Sequence, residues 1–226
     1  MRIILNFADR PDREKLISFI YDTISISDEL YAKQLHDNGL ALRMEKAIRR
    51  YKPFVFSVPY KSGKNGNGYA VKISLEDSIP ELIYHFIAGL SQSSPSKVRV
   101  INRLVSFDTK HQFFLISPVV VSDCQGYRPV YLTDPYDSRY SEILKSNLIN
   151  KYIALQGHPP VNNDIEFLWH ETRPAVQKYK CKSLPALWGS ICLRGSVELI
   201  RIAYNMGIGN KNGAGFGMLE LQTNFS

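Results

Sequence analysis

Gly207-Ile208-Gly209-Asn210-Lys211-Asn212-Gly213-Ala214-Gly215-Phe216-Gly217 decides how this chain is read. Five glycines in eleven residues leave a backbone poor in Cβ atoms, free to take positive φ and to let another molecule approach closely. An apolar helical segment precedes the stretch and the strand-like Met218-Leu219-Glu220-Leu221 follows it. It is therefore a shaped connection, unlike a Gly/Ser linker that runs on without structured flanks. Its amides can make a concave cradle for phosphate oxygens, and Lys211 adds a cation. Spacing argues against the familiar nucleotide loops. A Walker loop needs Gly-Lys followed by Ser or Thr and opens into a helix. A dinucleotide fingerprint runs strand, glycines, helix. Here the order is helix, glycines, strand, which leaves a tight helix-to-strand turn as the plain alternative.

Upstream, two similar series of elements can be read. Residues 2–8 form a first strand. Pro11, Asp12 and Glu14 open a helix with an apolar stripe at Leu16, Ile17, Ile20 and Ile24. Phe54–Pro59 and Tyr69–Leu75 are strands joined by a basic glycine-rich loop carrying Lys61 and Lys64. A helix over Ile79–Leu90 and strands over Val98–Phe107 and Phe113–Val121 complete a β-α-β-β-α-β order. The second series has a short strand at Val130–Leu132, a helix over Asp137–Leu155 and strands at Ile165–Trp169, Val176–Cys181 and Leu187–Leu193. A helix over Ser196–Met206 and a closing strand at Gly217–Gln222 end it. The expected fold class is α+β, with two tandem ferredoxin-like domains at residues 1–122 and 123–226.

The formal charge of +7 over 226 residues favours polyanionic partners, nucleic acid first. Three cysteines, Cys124, Cys181 and Cys192, lack Cys-x-x-Cys spacing, which argues against a disulfide framework and a structural zinc site. No acidic or histidine cluster has metal-ligand spacing, so neither metal nor cofactor is expected. Met1–Phe7 is too short for a signal-peptide core, and no window approaches a membrane span. A cytoplasmic protein is expected.

His36 precedes the turn former Asp37-Asn38-Gly39 in a polar stretch, where an imidazole can take or give a proton. A surface histidine at a turn is the competing reading. Leu40–Arg50 reads as a short helix with Arg43, Lys46 and Arg50 on one face, to grip RNA or simply to be solvated. Lys178, Lys180 and Lys182 alternate, so one strand would show all three on one face with Tyr179 and Cys181 turned away. With Arg49, Arg50, Lys61, Lys64 and Lys211 they outline a track for a phosphate backbone.

The tail Gly-Ile-Gly-Asn-Lys-Asn-Gly-Ala-Gly-Phe-Gly-Met-Leu-Glu resembles the glycine-rich signature of the CRISPR-associated repeat-cleaving endoribonucleases, within the repeat-associated RNA-binding superfamily. Leu35–Gly39, Lys52–Ser57, Ser117–Val121 and Asn147–Tyr152 match in the same order, so the resemblance spans nearly the whole chain. It implies a metal-independent endoribonuclease that binds CRISPR repeat RNA and cuts it by 2′-hydroxyl attack. The products would carry a 2′,3′-cyclic phosphate and a 5′-hydroxyl. It implies His36 as general base in a loop after the first helix, Tyr21 on that helix as a catalytic tyrosine, and Lys52 as the lysine. Lys46 is an alternative to Lys52, and a packed core tyrosine is the alternative for Tyr21. RNA would lie along Gly209, Lys211, Gly213 and Gly215. A side chain at Gly215 would stand where RNA backbone or a neighbouring chain approaches. Expected partners are precursor and processed repeat RNA, with interference-complex subunits or a second copy of the chain as further candidates. A non-cleaving RNA-binding scaffold and an unrelated phosphate-cofactor enzyme are the competing functions.

Overall fold

Alternating apolar residues in β1 (Arg2–Phe7) put Ile3 and Leu5 on one face, where they meet the apolar stripe of α1 (Arg13–Ser27). Asp12 caps that helix, its carboxylate accepting from the Lys15 N–H at 2.7 Å. The structure is a computed structural model and describes residues 1–45, 47–62, 68–93, 98–101, 105–123 and 129–222.

After α1 come α2 (Glu29–Asp37), a hairpin of β2 (Leu40–Arg43) and β3 (Ile48–Tyr51), then β4 (Phe54–Phe56), β5 (Tyr60–Lys61) and β6 (Tyr69–Leu75). α3 (Pro80–Gln92) and β7 (Val98–Ile101) close the series. The main sheet is antiparallel in the order β4-β6-β1-β7, with β5 added beside β6. Without its insertions this is β-α-β-β-α-β with the last strand beside the first, the ferredoxin-like arrangement. Helices α1 and α3 cross at Gly89, where a Cβ would collide with the Thr23 carbonyl.

The second series runs β8 (Lys110–Leu115), β9 (Val121–Asp123), β10 (Val130–Leu132), α4 (Ser138–Gln156), β11 (Ile165–Tyr179), β12 (Lys182–Gly195), α5 (Val197–Met206), the short 3-10 turn Asn212–Ala214 and β13 (Leu219–Leu221). Its sheet order, β11-β12-β8-β13, repeats the first. Two tandem ferredoxin-like modules therefore make up the chain. Phe113, Leu115, Ile191 and Leu193 pack under Leu144, Leu148, Ile200 and Ala203 in the second core.

Three expectations need correction. Lys110–Leu115 pairs with β12 and β13, so it opens the second sheet. Among the described residues, the last strand of the first sheet ends at Ile101 and the first strand of the second begins at Lys110. Leu40–Arg50 is a β-hairpin, not a helix, because Ala41 pairs with Arg50 and Leu42 with Arg49. Leu40 and Leu42 pack on the second core from this hairpin, which a lone helix-propensity argument does not see. Finally, β11 and β12 are two long strands meeting at Lys180-Cys181, so Lys178, Lys180 and Lys182 bend around a turn and share no strand face.

The glycine tail joins the modules. Gly207, Gly209, Gly215 and Gly217 all have positive φ. A Cβ at Gly215 would run into the Phe56 ring of β4, and one at Gly213 would lie 2.6 Å from Lys52 Cγ. Asn212 locks the bend by donating to the Ile208 and Phe216 carbonyls at 2.9 and 2.8 Å. Arg13 of α1 donates to the Ala214 carbonyl at 3.0 Å and to that of Gly215, and stacks over Phe216. At the other end of the joint, buried Arg2 pairs with Glu220 at 2.8 Å and donates to the Tyr204 and Leu219 carbonyls.

Candidate active site between the modules

A cleft of about 900 Å³ opens where the two modules meet. One wall is built by α1, the end of α2 and β3; the other by α4, the tip of the β11–β12 hairpin and the backbone of residues 209–214. Six basic side chains line it against three acidic ones, so an anion is favoured there.

His36, Tyr21 and Lys52 meet on the first wall. His36 lies on the last turn of α2 rather than in a loop, because Asp28 caps a second helix by accepting from the Tyr31 N–H at 2.8 Å. The imidazole is well exposed, and its Nδ1 sits 3.0 Å from Asp37 Oδ1. That hydrogen bond holds the Asp37 carboxyl below its ordinary value. A proton on Nδ1 leaves Nε2 free to accept another. Tyr21 stands edge-on to the imidazole, ring centroids 5.0 Å apart, and edge-on to Phe54 at 5.7 Å. Burial, helped by the charge of Asp37, raises the Tyr21 phenol above its ordinary value, so the hydroxyl stays a donor at neutral pH.

Lys52 is half-buried, 5.9 Å from the centre of the Tyr21 ring. Its ammonium donates to the Leu35 carbonyl at 2.6 Å and to the His36 carbonyl. Both carbonyls lie in the last turn of α2, where a cation suits the helix dipole; that of Leu35 also accepts the Gly39 N–H at 3.1 Å. Burial lowers Lys52 against the opposing pull of Asp37. Lys46, the alternative lysine, lies outside the described residues.

The RNA-binding candidates divide. Arg49, Arg50, Lys180, Lys211, Gly209 and Gly213 line the cleft. Lys178 lines a smaller hollow of about 320 Å³ on the far side of the hairpin, which shares Lys180 and Glu14 with the cleft. Arg43, Lys61 and Lys182 are exposed but line neither space, and Gly215 is buried under Phe56. Lys64 lies outside the described residues.

Sequence reasoning missed Tyr179, Asn147 and Lys151 on the second wall. Tyr179 was expected to face away, but it is the last residue of β11 and turns into the cleft. Lys151 is 1% exposed and donates to the Gly207 carbonyl at 2.7 Å; burial alone pushes its ammonium down to about 7. Its signal was present, since Lys151 falls at helical spacing in the stripe of Leu144 and Leu148. Asn147, one turn earlier, is buried with no partner for its Oδ1 among the described residues. Among the described residues, no three His, Cys, Asp or Glu side chains gather as a metal site, and no helix is long and apolar enough to cross a membrane.

A basic cleft between paired ferredoxin-like modules, with imidazole and phenol on one wall, suits a polyanionic strand. Residues 100–221, more than half of the chain, match the family model for the C-terminal part of CRISPR-associated protein Cas6, and the chain belongs to the Cas6 family. It is 27% identical over 229 residues to "CRISPR-associated endoribonuclease Cas6 1" of Methanocaldococcus jannaschii, covering 90% of this chain and 83% of that protein. Among solved structures, a Cas6-related protein from Pyrococcus furiosus superposes with a TM-score of 0.78 at 18% identity, covering 99% of each chain. A structure described as a RAMP protein binding different RNA substrates superposes at 0.76 with 20% identity, covering 99% of this chain and 100% of that one. The protein is an endoribonuclease of this family.

Proposed function

We propose that this protein binds CRISPR repeat RNA in the cleft and cuts it without a metal ion, releasing guide RNAs with a 2′,3′-cyclic phosphate end. The observation that carries the reading is the meeting of His36, Tyr21 and Lys52 on one wall of a basic cleft. His36 Nε2 takes the proton of a ribose 2′-hydroxyl. The freed oxygen attacks the adjacent phosphorus in line, the P–O5′ bond breaks, and the 5′-oxygen takes a proton from water. Tyr21, kept neutral, donates a hydrogen bond to the reacting phosphate. Lys52 holds the carbonyl end of α2, and so holds His36 where the RNA must lie. Arg49 and Arg50 bind the backbone beside the cut, and the family's repeat RNA is the partner.

The test is repeat RNA incubated with the protein in EDTA, with analysis of the product ends. Cleavage to a cyclic phosphate is expected, and His36→Ala should slow it by ~10²–10⁴-fold with RNA affinity nearly intact. Tight retention of uncut RNA would make the protein a binding scaffold instead. Cleavage that persists in His36→Ala would move the base elsewhere.

A further inference from the structure

Lys52 is engaged by protein: its ammonium serves two carbonyls of α2 and its stem packs on Gly213. The charge that grows on a phosphoryl group during cleavage needs a freer cation. Two lysines reach the cleft from the opposite wall. Lys180 opens the turn between β11 and β12, and Lys211 lies in the glycine tail; both are exposed. They flank one side chain. Lys180 Nζ is 5.8 Å and Lys211 Nζ 5.6 Å from the centre of the Tyr179 ring. Tyr179 is in turn edge-on to Phe216 at 6.1 Å, and its phenol lies close enough to Tyr21 to act on it electrostatically. The cleft thus has Tyr21 and His36 on one side and this pair of lysines on the other.

Their backbone makes the pair unusual. Lys180 has φ +52° and Lys211 φ +61°; among the described residues the only other non-glycine with positive φ is Glu171. A left-handed lysine is strained where glycine is not. In the tail, glycine fills the positive-φ positions 207, 209, 215 and 217, yet position 211 keeps a lysine. Surrounding contacts impose both conformations. The Lys180 N–H donates to Glu14 Oε1 of α1 at 2.9 Å, and the Lys211 carbonyl accepts from the Ala214 N–H at 2.9 Å. At Lys180 the two-residue hairpin turn accounts for the positive φ; at Lys211, in a glycine-rich tail, a strained lysine beside the cleft motivates a functional hypothesis.

We propose that Lys180 and Lys211 are catalytic residues, donating from both ammonium groups to the non-bridging oxygens of the phosphate being cut, with Lys52 as a positioning residue for α2. The proposal rests on the endoribonuclease reading above. In the step, the 2′-hydroxyl proton goes to His36, the O2′–P bond forms and the P–O5′ bond breaks. The two lysines neutralise the added charge and keep their protons.

The experiment is single-turnover cleavage of repeat RNA at saturating protein, with Kd and thermal midpoint measured alongside, for Lys180→Gly, Lys211→Gly and the double variant. Glycine relaxes the backbone, so the midpoint should hold or rise. The cleavage rate should fall ~10–100-fold for each single change and further for the double, while Kd rises only about threefold. Lys180→Arg and Lys211→Arg should retain most of the rate. Lys52→Arg, able to reach the same carbonyls, should restore the rate lost in Lys52→Met. Glycine variants that cut at the wild-type rate, or that lose only affinity, overturn the proposal and leave the endoribonuclease reading standing. A wild-type protein that does not cut removes both.

Discussion

The two modules share one strand order, and the site is made from what each adds to it. In the first, the strand after the crossover helix is only Phe54–Phe56, and the additions come before it: α2, whose last turn carries His36, and the β2–β3 hairpin, whose second strand carries Arg49 and Arg50. In the second, the corresponding pair of strands, at one edge of the sheet, is lengthened to 15 and 14 residues, and the overhang carries Tyr179 and Lys180 across to α1. His36 therefore rides on a helix end of one module, and Lys180 and Lys211 ride on bends of the other. The ferredoxin-like core supplies the frame, and most of the proposed chemistry would lie in what is added to it.

The largest expected effect of breaking this pairing is at the joint itself. Gly215→Val puts a branched side chain into the Phe56 ring at a residue with φ +74°. Overpacking of about 1–3 kcal/mol and left-handed strain of about 1–2 kcal/mol combine there, against a total stability of about 5–15 kcal/mol. A large drop in thermal midpoint is expected, and the same valine should cost less when introduced into a Phe56→Ala chain, since the two positions are in contact. A valine variant that melts like wild type and loses only RNA affinity would turn the tail back into an RNA contact.

A smaller effect separates the walls by pH. The cations of the first wall are open to solvent or hydrogen-bonded to α2, whereas Lys151 behind the second wall is buried with burial alone acting on its ammonium. Its proton is held less tightly in the folded chain, at about 7, than in the unfolded one, so stability rises as pH climbs from about 7 toward the ordinary lysine value near 10.4. The rise is on the order of a few kcal/mol. Lys151→Met should be as stable as wild type or more so at pH 7, and the difference should shrink by pH 9. Urea denaturation at the two pH values measures it. A difference that does not change with pH would mean that Lys151 keeps its proton in the folded chain throughout the range, as it does in the unfolded one.

Sequence made the duplicated topology legible because each module buries a strongly periodic helix against alternating strands: Leu16, Ile20 and Ile24 in one, Leu144 and Leu148 in the other. What it did not show depends on partners distant in the chain. Lys110–Leu115 alternates equally well for either sheet, and only pairing with β12 and β13 assigns it to the second. Leu40 and Leu42 read as part of a helix until α4 offers them a surface. Gly215 signalled a close approach correctly, but nothing local could say that the approaching group is Phe56. The wall that carries His36 was legible from a turn and a family likeness. The wall opposite was not, since Tyr179 and Lys151 look like ordinary strand and helix residues until the hairpin is folded over α1.

The smallest effect tests whether RNA follows the cleft or merely the charge. Arg50 lines it from the first module, whereas Lys182, also exposed and also cationic, begins β12 outside both hollows. A side chain that neutralises a phosphate releases a counterion, so its loss reduces the slope of log Kd against log salt by about 1. Arg50→Ala should show that reduction, with similar loss across repeat sequences. Lys182→Ala should leave the slope alone. Equal reductions in both would mean that the RNA lies on a diffuse basic surface extending past the hairpin, and a cleft that opposes two unlike walls would then be the wrong description of where the strand runs.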